Sequence, residues 1–304
     1  MKSYNTFAKF YDELTDNVEY EKRSKYIYDF FKENCANCNS VLDLACGTGS
    51  VSEYLADMGM EVIGMDLSDE MLTEACLKGI KRAVFIKGDM TCFTLPQKVD
   101  CCICSLDSIN HLKDIGEVRK CFDCVYNSLD NGGVFVFDVN TVYKHQCILA
   151  DNTFVFDEED FFLSWDNEYL GDNTVRILLD FFVFNGSSYD RYSEEFNEKA
   201  YTVDELKNIL DKFEIIGIYD EMTLDSPKSD SERVRYITTD GSAFVIAGDT
   251  TDMVSKAENI HKTSAVTTAA LGRLMTASSM MGVMLKGKDD SVTLRLNGGG
   301  PAGV

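Results

Sequence analysis

Two hydrophobic periods divide most of this chain. Short apolar runs at Val41–Leu44, Glu61–Met65, Ala83–Lys87, Val99–Cys104, Val134–Asp138 and Glu214–Tyr219 read as strands. Between them, apolar residues recur three and four apart, as at Val118, Cys121, Phe122, Val125 and Leu129. That spacing predicts helices over Val51–Met58, Asp69–Lys78, Ile115–Leu129 and Val203–Lys212. Strands that alternate with helices predict an α/β fold, a doubly wound parallel sheet with helices on both faces.

From about residue 152 to residue 201 the pattern changes. Phe154–Phe156, Phe161–Tyr169, Thr174–Phe184 and Tyr189–Tyr201 are aromatic and strand-like, separated by Gly171-Asp172-Asn173 and Asn185-Gly186-Ser187-Ser188. Asn-Gly is a strong hairpin signal, so this stretch reads as an antiparallel β insert. It suits either a lid over a ligand site or a plain extension of the sheet. Exposure of Trp165, Tyr169, Tyr189 and Tyr192 would favour the lid.

A further change falls near residue 237. Of 34 aromatic residues only Phe244 lies beyond Tyr236, and from Ile237 to Val304 six acids face six bases. The first 236 residues therefore carry the whole net charge of −22. Two domains are expected, 1–236 and 237–304, with Arg233–Thr239 suited to the last strand of one or the first of the other. In the second, Ser264–Leu285 reads as a helix rich in methionine and small residues, and Ser291–Asn297 as a lone strand. Elements this few do not close a core, so an incomplete α+β segment is expected.

The charge narrows the partners. An excess of acid argues against nucleic acid, whose phosphates are bound by Lys and Arg, and against anionic membranes. No stretch has the length and apolarity of a membrane span, and Met1–Asp12 lacks an export signal's apolar core, so the cytoplasm is expected. The eleven cysteines, all between Cys35 and Cys147, are then expected as reduced thiols. Cys35–Cys38 and Cys121–Cys124 have zinc-site spacing, but the second pair lies within an amphipathic helix and the first just precedes a strand. No metal is expected.

The candidate chemistry begins at Val41-Leu42-Asp43-Leu44-Ala45-Cys46-Gly47-Thr48-Gly49, an apolar strand with one acid running into a turn with two glycines. Glycine lets the backbone turn tightly and come close to a ligand. The next strand ends in Asp66, 23 residues after Asp43, where a mononucleotide-binding βαβ unit places a carboxylate for ribose hydroxyls. A nicotinamide-type loop needs a third glycine, and Ser52 stands there instead. Asp43, Asp66, Asp89 and Ser105 fall at or near strand ends, so four segments converge on one crevice of a Rossmann-like sheet.

Asp43-Leu44-Ala45-Cys46-Gly47-Thr48-Gly49 closely resembles motif I of the class I S-adenosylmethionine-dependent methyltransferases. Gly64-Met65-Asp66-Leu67-Ser68 resembles their acidic motif, Gly88-Asp89-Met90 their adenine-contacting motif, and Val99–Asp107 their fourth strand. The resemblance covers roughly residues 1–239. It implies S-adenosylmethionine as cofactor, with Ala45, Gly47 and Gly49 admitting its amino-acid moiety and Asp43 reaching the ammonium. It implies Asp66 on the ribose, Asp89 on the adenine amino group, Leu67 and Met90 against the ring, and Ser105 in the same crevice. Asp89 also suits a turn. Tyr4–Tyr11 resembles the helix that closes over the cofactor, which makes Tyr11 a candidate neighbour, although an aromatic there also suits core packing. Relatives tend to have tryptophan where Arg23 stands, so that wall of the pocket departs from the pattern. His111, after the fourth strand, suits either a general base or a cap for the next helix; His145 and His261 have no supporting context.

The tail resembles another family. Thr239-Asp240-Gly241, Ile260-His261-Lys262-Thr263-Ser264, Ala269-Ala270-Leu271-Gly272-Arg273 and Gly298-Gly299-Gly300-Pro301 follow, in order, the start of the redox-regulated chaperone heat-shock protein thirty-three. No cysteine of that family's zinc switch follows Cys147. The tail is expected either as an inactive remnant or as a methionine-rich surface for self-association or unfolded chains. The sequence thus reads as a methyltransferase acting on a small-molecule acceptor. The alternative is a holdase-type chaperone or binding protein with a non-catalytic methyltransferase-like domain.

Overall fold

The computed structural model describes residues 7–158, 161–240, 254–257, 271, 273–276 and 278. The chain divides into two compact units, Met1–Ser242 and Ala243–Val304. The first is built on a sheet of seven strands: β1 (Ser40–Leu44), β2 (Glu61–Asp66), β3 (Ala83–Lys87), β4 (Val99–Cys104), β5 (Leu129–Asn140), β10 (Glu214–Asp220) and β11 (Arg233–Thr239). Their order is β10-β11-β5-β4-β1-β2-β3. The five strands from β5 to β3 are mutually parallel, and β11 runs antiparallel to both of its neighbours. Strand order reverses beside β1, which pairs with β2 on one side and β4 on the other. In open α/β sheets a crevice opens beyond the carboxyl ends at that point.

Alternation along the strands supplies two cores. Leu42, Leu44, Cys102, Cys104, Phe135 and Phe137 face α5 (Ile115–Ser128) and α6 (Val203–Ile209), which present Val118, Phe122, Val125, Leu206 and Ile209. Val41, Cys101, Ile103, Val134 and Val136 face α2 (Tyr20–Asn34) and α3 (Ser50–Asp57), which present Ile27, Phe31, Val51 and Leu55. Strand cysteines here pack as small apolar side chains, with Cys101, Cys102 and Cys104 buried. Among the described residues no group of side chains forms a metal site, and no helix is long and apolar enough to cross a membrane.

Helix ends follow their caps. Ser68 accepts the Met71 amide at the start of α4 (Asp69–Leu77), Asp114 accepts the Glu117 amide at α5, and Thr202 with Glu205 forms a capping box at α6. Asp114 therefore holds the position proposed for a capping His111. The α6 helix stops at Ile209, short of the Lys212 expected from periodicity, and β5 begins five residues before the expected Val134.

The insert is a separate antiparallel sheet of β6 (Thr153–Asp157), β7 (Phe161–Gly171), β8 (Thr174–Phe184) and β9 (Tyr189–Lys199) in sequential order. Its inner face packs Phe161, Leu163, Val175, Ile177, Leu179 and Phe181 with Leu149, and Phe10 and Leu14 of α1 (Phe7–Leu14) lie against that cluster. Tyr189 and Tyr192 are exposed, whereas Trp165 and Tyr169 are half-buried.

Arg233–Thr239 is a strand of the large sheet, so the composition change at 237 falls inside β11 while the compact unit continues to Ser242. In the second unit, 254–257, 271, 273–276 and 278 are helical. Most of the expected Ser264–Leu285 helix, the Ser291–Asn297 strand and His261 lie outside the described residues.

Candidate active site

The loop leaving β1 is left-handed at three positions: Ala45 (φ +58°), Gly47 (φ +55°) and Gly49 (φ +77°). At Gly49 a Cβ would lie 2.9 Å from the Phe85 ring and 3.2 Å from the Ala75 Cβ. Gly49 therefore serves the packing of α3 against β3 and α4. At Gly47, among the described residues, a Cβ would meet Tyr11 alone, at 3.9 Å.

Asp66 holds this loop. One carboxylate oxygen accepts the Gly47 amide at 2.9 Å and the other accepts the Ser68 amide at 2.9 Å. Each oxygen keeps a lone pair for a further donor. Burial pushes the carboxyl above its usual range, against these amide bonds, which lower it. From the other side, Thr48 and Ser50 donate to Asp12 of α1 at 2.5 and 3.0 Å, and Lys78 pairs with Asp12 at 2.7 Å.

A cavity of about 610 Å3 lies at the carboxyl ends of the strands. Tyr11, Ala45, Gly47, Asp66, Leu67, Asp89 and Met90 form part of its wall; Phe156, Leu163, Trp165, Leu179, Phe196 and Glu198 of the second sheet form another. Leu67 is 65% exposed, an apolar side chain with one face uncovered. Asp89 Oδ1 accepts the Thr91 amide and hydroxyl at 2.8 and 2.7 Å. The acid thus makes the turn foreseen for it with one oxygen only. A small adjoining cavity of about 30 Å3 shares Tyr11, Ala45 and Gly47 and adds Asp43 and Ser105. Asp43 accepts the Ser52 hydroxyl at 2.6 Å; burial, then the charge of Asp66, pushes it up to about 6. Among the described residues the buried Ser105 hydroxyl has no hydrogen-bond partner.

His111 lies in the 3-10 turn Ser108–His111 and lines the large cavity. Burial lowers its pKa, while Asp107 and Asp66 oppose that shift. Its Nε2 stands 3.8 Å from Glu198 Oε1. On the far side of Glu198, His145 Nε2 stands 3.7 Å from Oε2, and Asn140 Nδ2 donates to Oε2 at 3.4 Å. Glu198 is 5% exposed; burial, then the Asp107 charge, pushes it up to about 8, so it is largely protonated at neutral pH. The His145 Nδ1 lies 3.0 Å from the Asn173 carbonyl, which can only accept, so this nitrogen carries the proton and Nε2 presents a lone pair. His145, which lacked any context in the sequence, thus stands beside Glu198 without itself lining the cavity.

These features define a family when set beside known proteins. The family model described as a methyltransferase domain matches residues 41–133. YqeM of Bacillus subtilis (strain 168), named provisionally as a methyltransferase, is 33% identical over 238 residues, covering 76% of this chain and 94% of YqeM. The crystal structure of an S-adenosylmethionine-dependent methyltransferase from Clostridium acetobutylicum ATCC 824 is 34% identical, with a TM-score of 0.71, over 78% of this chain and 98% of that one. The chain belongs to the S-adenosylmethionine-dependent methyltransferases. Its C-terminal residues 231–304 match a second model, described as Hsp33 protein. Over 74 residues the chain is 49% identical to the 33 kDa chaperonin of Alkaliphilus metalliredigens (strain QYMF), covering 24% of this chain and 25% of the chaperonin.

The cofactor of this methyltransferase is S-adenosylmethionine, and three features of the chain fit it. Ser105, whose buried hydroxyl has no hydrogen-bond partner among the described residues, lines the small cavity beside Asp43, a polar recess suited to an amino-acid group. The Asp66 oxygens retain acceptor capacity for vicinal hydroxyls. Leu67 and Met90 offer apolar faces beside Asp89 for a purine.

Arg23 does not form a pocket wall. It is buried beside Asp138, at 3.6 Å, and donates to Glu221 at 2.9 Å. Asp138 also accepts from Arg233 and Arg235, at 2.8 and 3.1 Å, and Arg233 bonds Asp107 at 2.6 Å. Sequence reasoning did not single out Asp107, Lys144, Glu198 or Arg233 of the cavity wall. The available signal was the alternation in Ser193-Glu194-Glu195-Phe196-Asn197-Glu198, where Glu194 and Glu198 take the buried face of β9.

Proposed function

We infer that this methyltransferase transfers the methyl group to a small organic molecule held between the large sheet and the antiparallel sheet. The observation that carries the reading is the single cavity of about 610 Å3 whose wall includes Gly47, Asp66 and Asp89 together with Trp165, Phe196 and His111. Cofactor and acceptor then share one enclosure. Bound S-adenosylmethionine supplies an electrophilic methyl on a sulfonium, and the residues of the chain align a nucleophile with it and exclude water.

In this reading Ala45, Gly47, Asp43 and Ser105 receive the amino-acid moiety. Asp66 accepts from both ribose hydroxyls, each charge-assisted bond contributing about 1.5–3 kcal/mol. Asp89 takes the adenine amino group, with Leu67 and Met90 on the ring faces and Tyr11 closing from α1. Gly49 acts through helix packing. The antiparallel sheet is the lid, and 1–242 is the methyltransferase domain. A net charge of −22 supports a neutral or cationic small acceptor rather than nucleic acid.

Calorimetric titration of S-adenosylmethionine and its demethylated product tests this reading. Micromolar binding that Asp66→Ala abolishes is the expected result; absence of binding by the unaltered chain overturns it.

The match of residues 231–304 to the Hsp33 model favours one further activity, capture of unfolded chains by the C-terminal segment. Suppression of citrate synthase aggregation by the full chain, lost on removal of residues 243–304, is the expected outcome. Equal suppression by both chains removes this second reading.

A further inference from the structure

Towards the amino ends of β1 and β4, away from the cavity at their carboxyl ends, three cysteine thiols gather. Cys35 and Cys38 stand on the loop between α2 and β1, and Cys101 stands on β4, where it pairs with Val41 of β1. None of the three lines either cavity. Asp100 brings them together. Its Oδ2 accepts the Asn39 amide at 3.0 Å and both the amide and the hydroxyl of Ser40 at 2.9 Å, while its own amide donates to the Ser40 hydroxyl at 3.0 Å. One residue thus fastens the loop that carries Cys35 and Cys38 to the strand position next to Cys101.

The contacts are asymmetric. Cys101 Sγ donates to Cys38 Sγ across 4.0 Å and also reaches Cys35. Cys35 donates to the Asn37 carbonyl at 2.8 Å. Lys32, exposed in the last turn of α2, brings a positive charge to Cys38, with its Nζ 3.5 Å from the Cys38 carbonyl. Donation from Cys101 lowers the Cys38 pKa; burial opposes this, Lys32 adds to it, and Cys35 and Asp100 weaken it. Cys101 is pushed the other way, by its hydrogen bonds with Cys35 and Cys38 and then by burial. One thiol of the pair therefore gives up its proton readily and the other keeps it. That division suits an attacking sulfur and the sulfur that resolves its product. Core packing accounts for the burial of Cys101, but not for an acidified Cys38 beside a lysine. Among the described residues no such group is set to hold a metal ion, which leaves the chemistry of sulfur itself.

We propose that Cys38 and Cys101 are a peroxide-oxidised thiol pair that forms a reversible disulfide, with Cys38 as the attacking thiolate. The Cys38 sulfur attacks one oxygen of hydrogen peroxide, a molecule small enough for a thiol that is only 7% exposed. The S–O bond forms as the O–O bond breaks, and the departing hydroxide takes a proton from solvent to become water. Cys38 is then a sulfenic acid. The Cys101 sulfur next attacks the Cys38 sulfur while its own proton passes to the departing oxygen. The S–S bond forms, the S–O bond breaks, and a second water leaves. The two thiols have lost two electrons, and one peroxide has become two waters. A dithiol reverses the step by exchange, becoming a disulfide itself. The bridge joins residues 63 positions apart and ties the loop before β1 to β4.

The exposed thiols Cys76, Cys92 and Cys147 serve as internal controls. The test exposes the full chain at neutral pH to a small molar excess of hydrogen peroxide. Remaining thiols are then blocked with iodoacetamide, and the peptides are read by fragment-ion mass spectrometry over time. A Cys38–Cys101 cross-link that dithiothreitol removes is the expected result. Cys38 should be consumed at least about tenfold faster than the three controls despite its burial, because the thiolate is the nucleophile. Cys38→Ser is expected to leave Cys101 unlinked. Lys32→Gln, at an exposed position, is expected to slow the cross-link about threefold or more. Circular dichroism reports that both variants fold. Oxidation of the controls ahead of Cys38, a cross-link that contains Cys35 in place of Cys38 or Cys101, or over-oxidised Cys38 with no cross-link overturns the proposal. A linked Cys101 in Cys38→Ser, or an unaltered rate in Lys32→Gln, overturns it as well.

Discussion

The Gly47 amide donates to Asp66 Oδ2 at 2.9 Å, so the glycine loop after β1 is tied to the acid that ends β2. One carboxylate thus shapes the loop and keeps acceptor capacity for a ligand. Removing it affects stability and binding together. Asp66→Ala leaves the Gly47 and Ser68 amides without their partner and is expected to cost about 1–3 kcal/mol in urea unfolding, besides abolishing cofactor binding. Unchanged stability would mean that the loop holds its shape without Asp66.

Gly49 is constrained twice, by φ +77° and by the Phe85 ring 2.9 Å from where a Cβ would stand. Gly49→Ala is expected to destabilise the protein by about 2 kcal/mol or more, of which the backbone accounts for about 1–2. Adding Phe85→Leu should recover only the steric part. Full recovery in urea unfolding would contradict the left-handed backbone.

Asp138 tests the buried ion cluster. Burial alone would raise its pKa, but Arg233, Arg235 and Arg23 outweigh that and hold the carboxyl well below the usual range. A depressed carboxylate contributes stability that is complete above the unfolded pKa, about 3.9, and is lost as pH falls towards the folded value. Arg233→Leu removes the strongest of these partners. It is expected to cost about 3–5 kcal/mol at pH 7 and to move acid unfolding to higher pH. Stability measured from pH 7 to pH 2 checks both; an acid transition at the original pH would contradict the assignment.

Glu198 has the opposite sign. Its folded pKa, about 8, is raised above the unfolded value of about 4.3, so stability falls as pH rises between the two and then levels. Glu198→Gln abolishes that dependence. The variant should gain on the unaltered protein by at most about 1.4 kcal/mol per pH unit between pH 5 and 8. Parallel stability curves for the two would show that Glu198 is not held protonated.

Removal of residues 243–304 should leave cofactor affinity within about threefold, because every residue assigned to the cofactor precedes Ser242. Titration of a chain ending at Ser242 measures this. Loss of binding would show that the second unit supports the site.

Much of the cavity wall around the glycine loop was legible because it is local. Asp43, Gly47, Asp66 and Asp89 stand at or just beyond strand ends, and alternating strands and helices bring parallel strand ends to one edge. The loop's left-handed turns also follow from chain chemistry, since glycine occupies two of the three positions. Periodicity likewise separated the antiparallel insert from the parallel sheet. It overran at Lys212, where hydrophobic spacing alone did not mark the end of α6 at Ile209.

The opposite wall of the cavity was decided elsewhere. Asp107, Glu198 and Arg233 belong to a turn, a strand of the antiparallel sheet and the last strand of the large sheet, far apart along the chain. Nothing in their immediate neighbours marks them as partners. Whether a glutamate in an acidic strand is solvated or buried depends on what covers that face, and here the two sheets enclose it. Likewise β11 could continue either family by sequence, and its pairing with β5, Arg235 opposite Asp138, places it in the large sheet. The sequence by itself determined the fold class and the turning glycine loop after β1, because period and turn chemistry act over a few neighbouring residues. Tertiary structure alone decided which charges are buried together, because desolvation and Coulomb interaction depend on distance in space and not on separation along the chain.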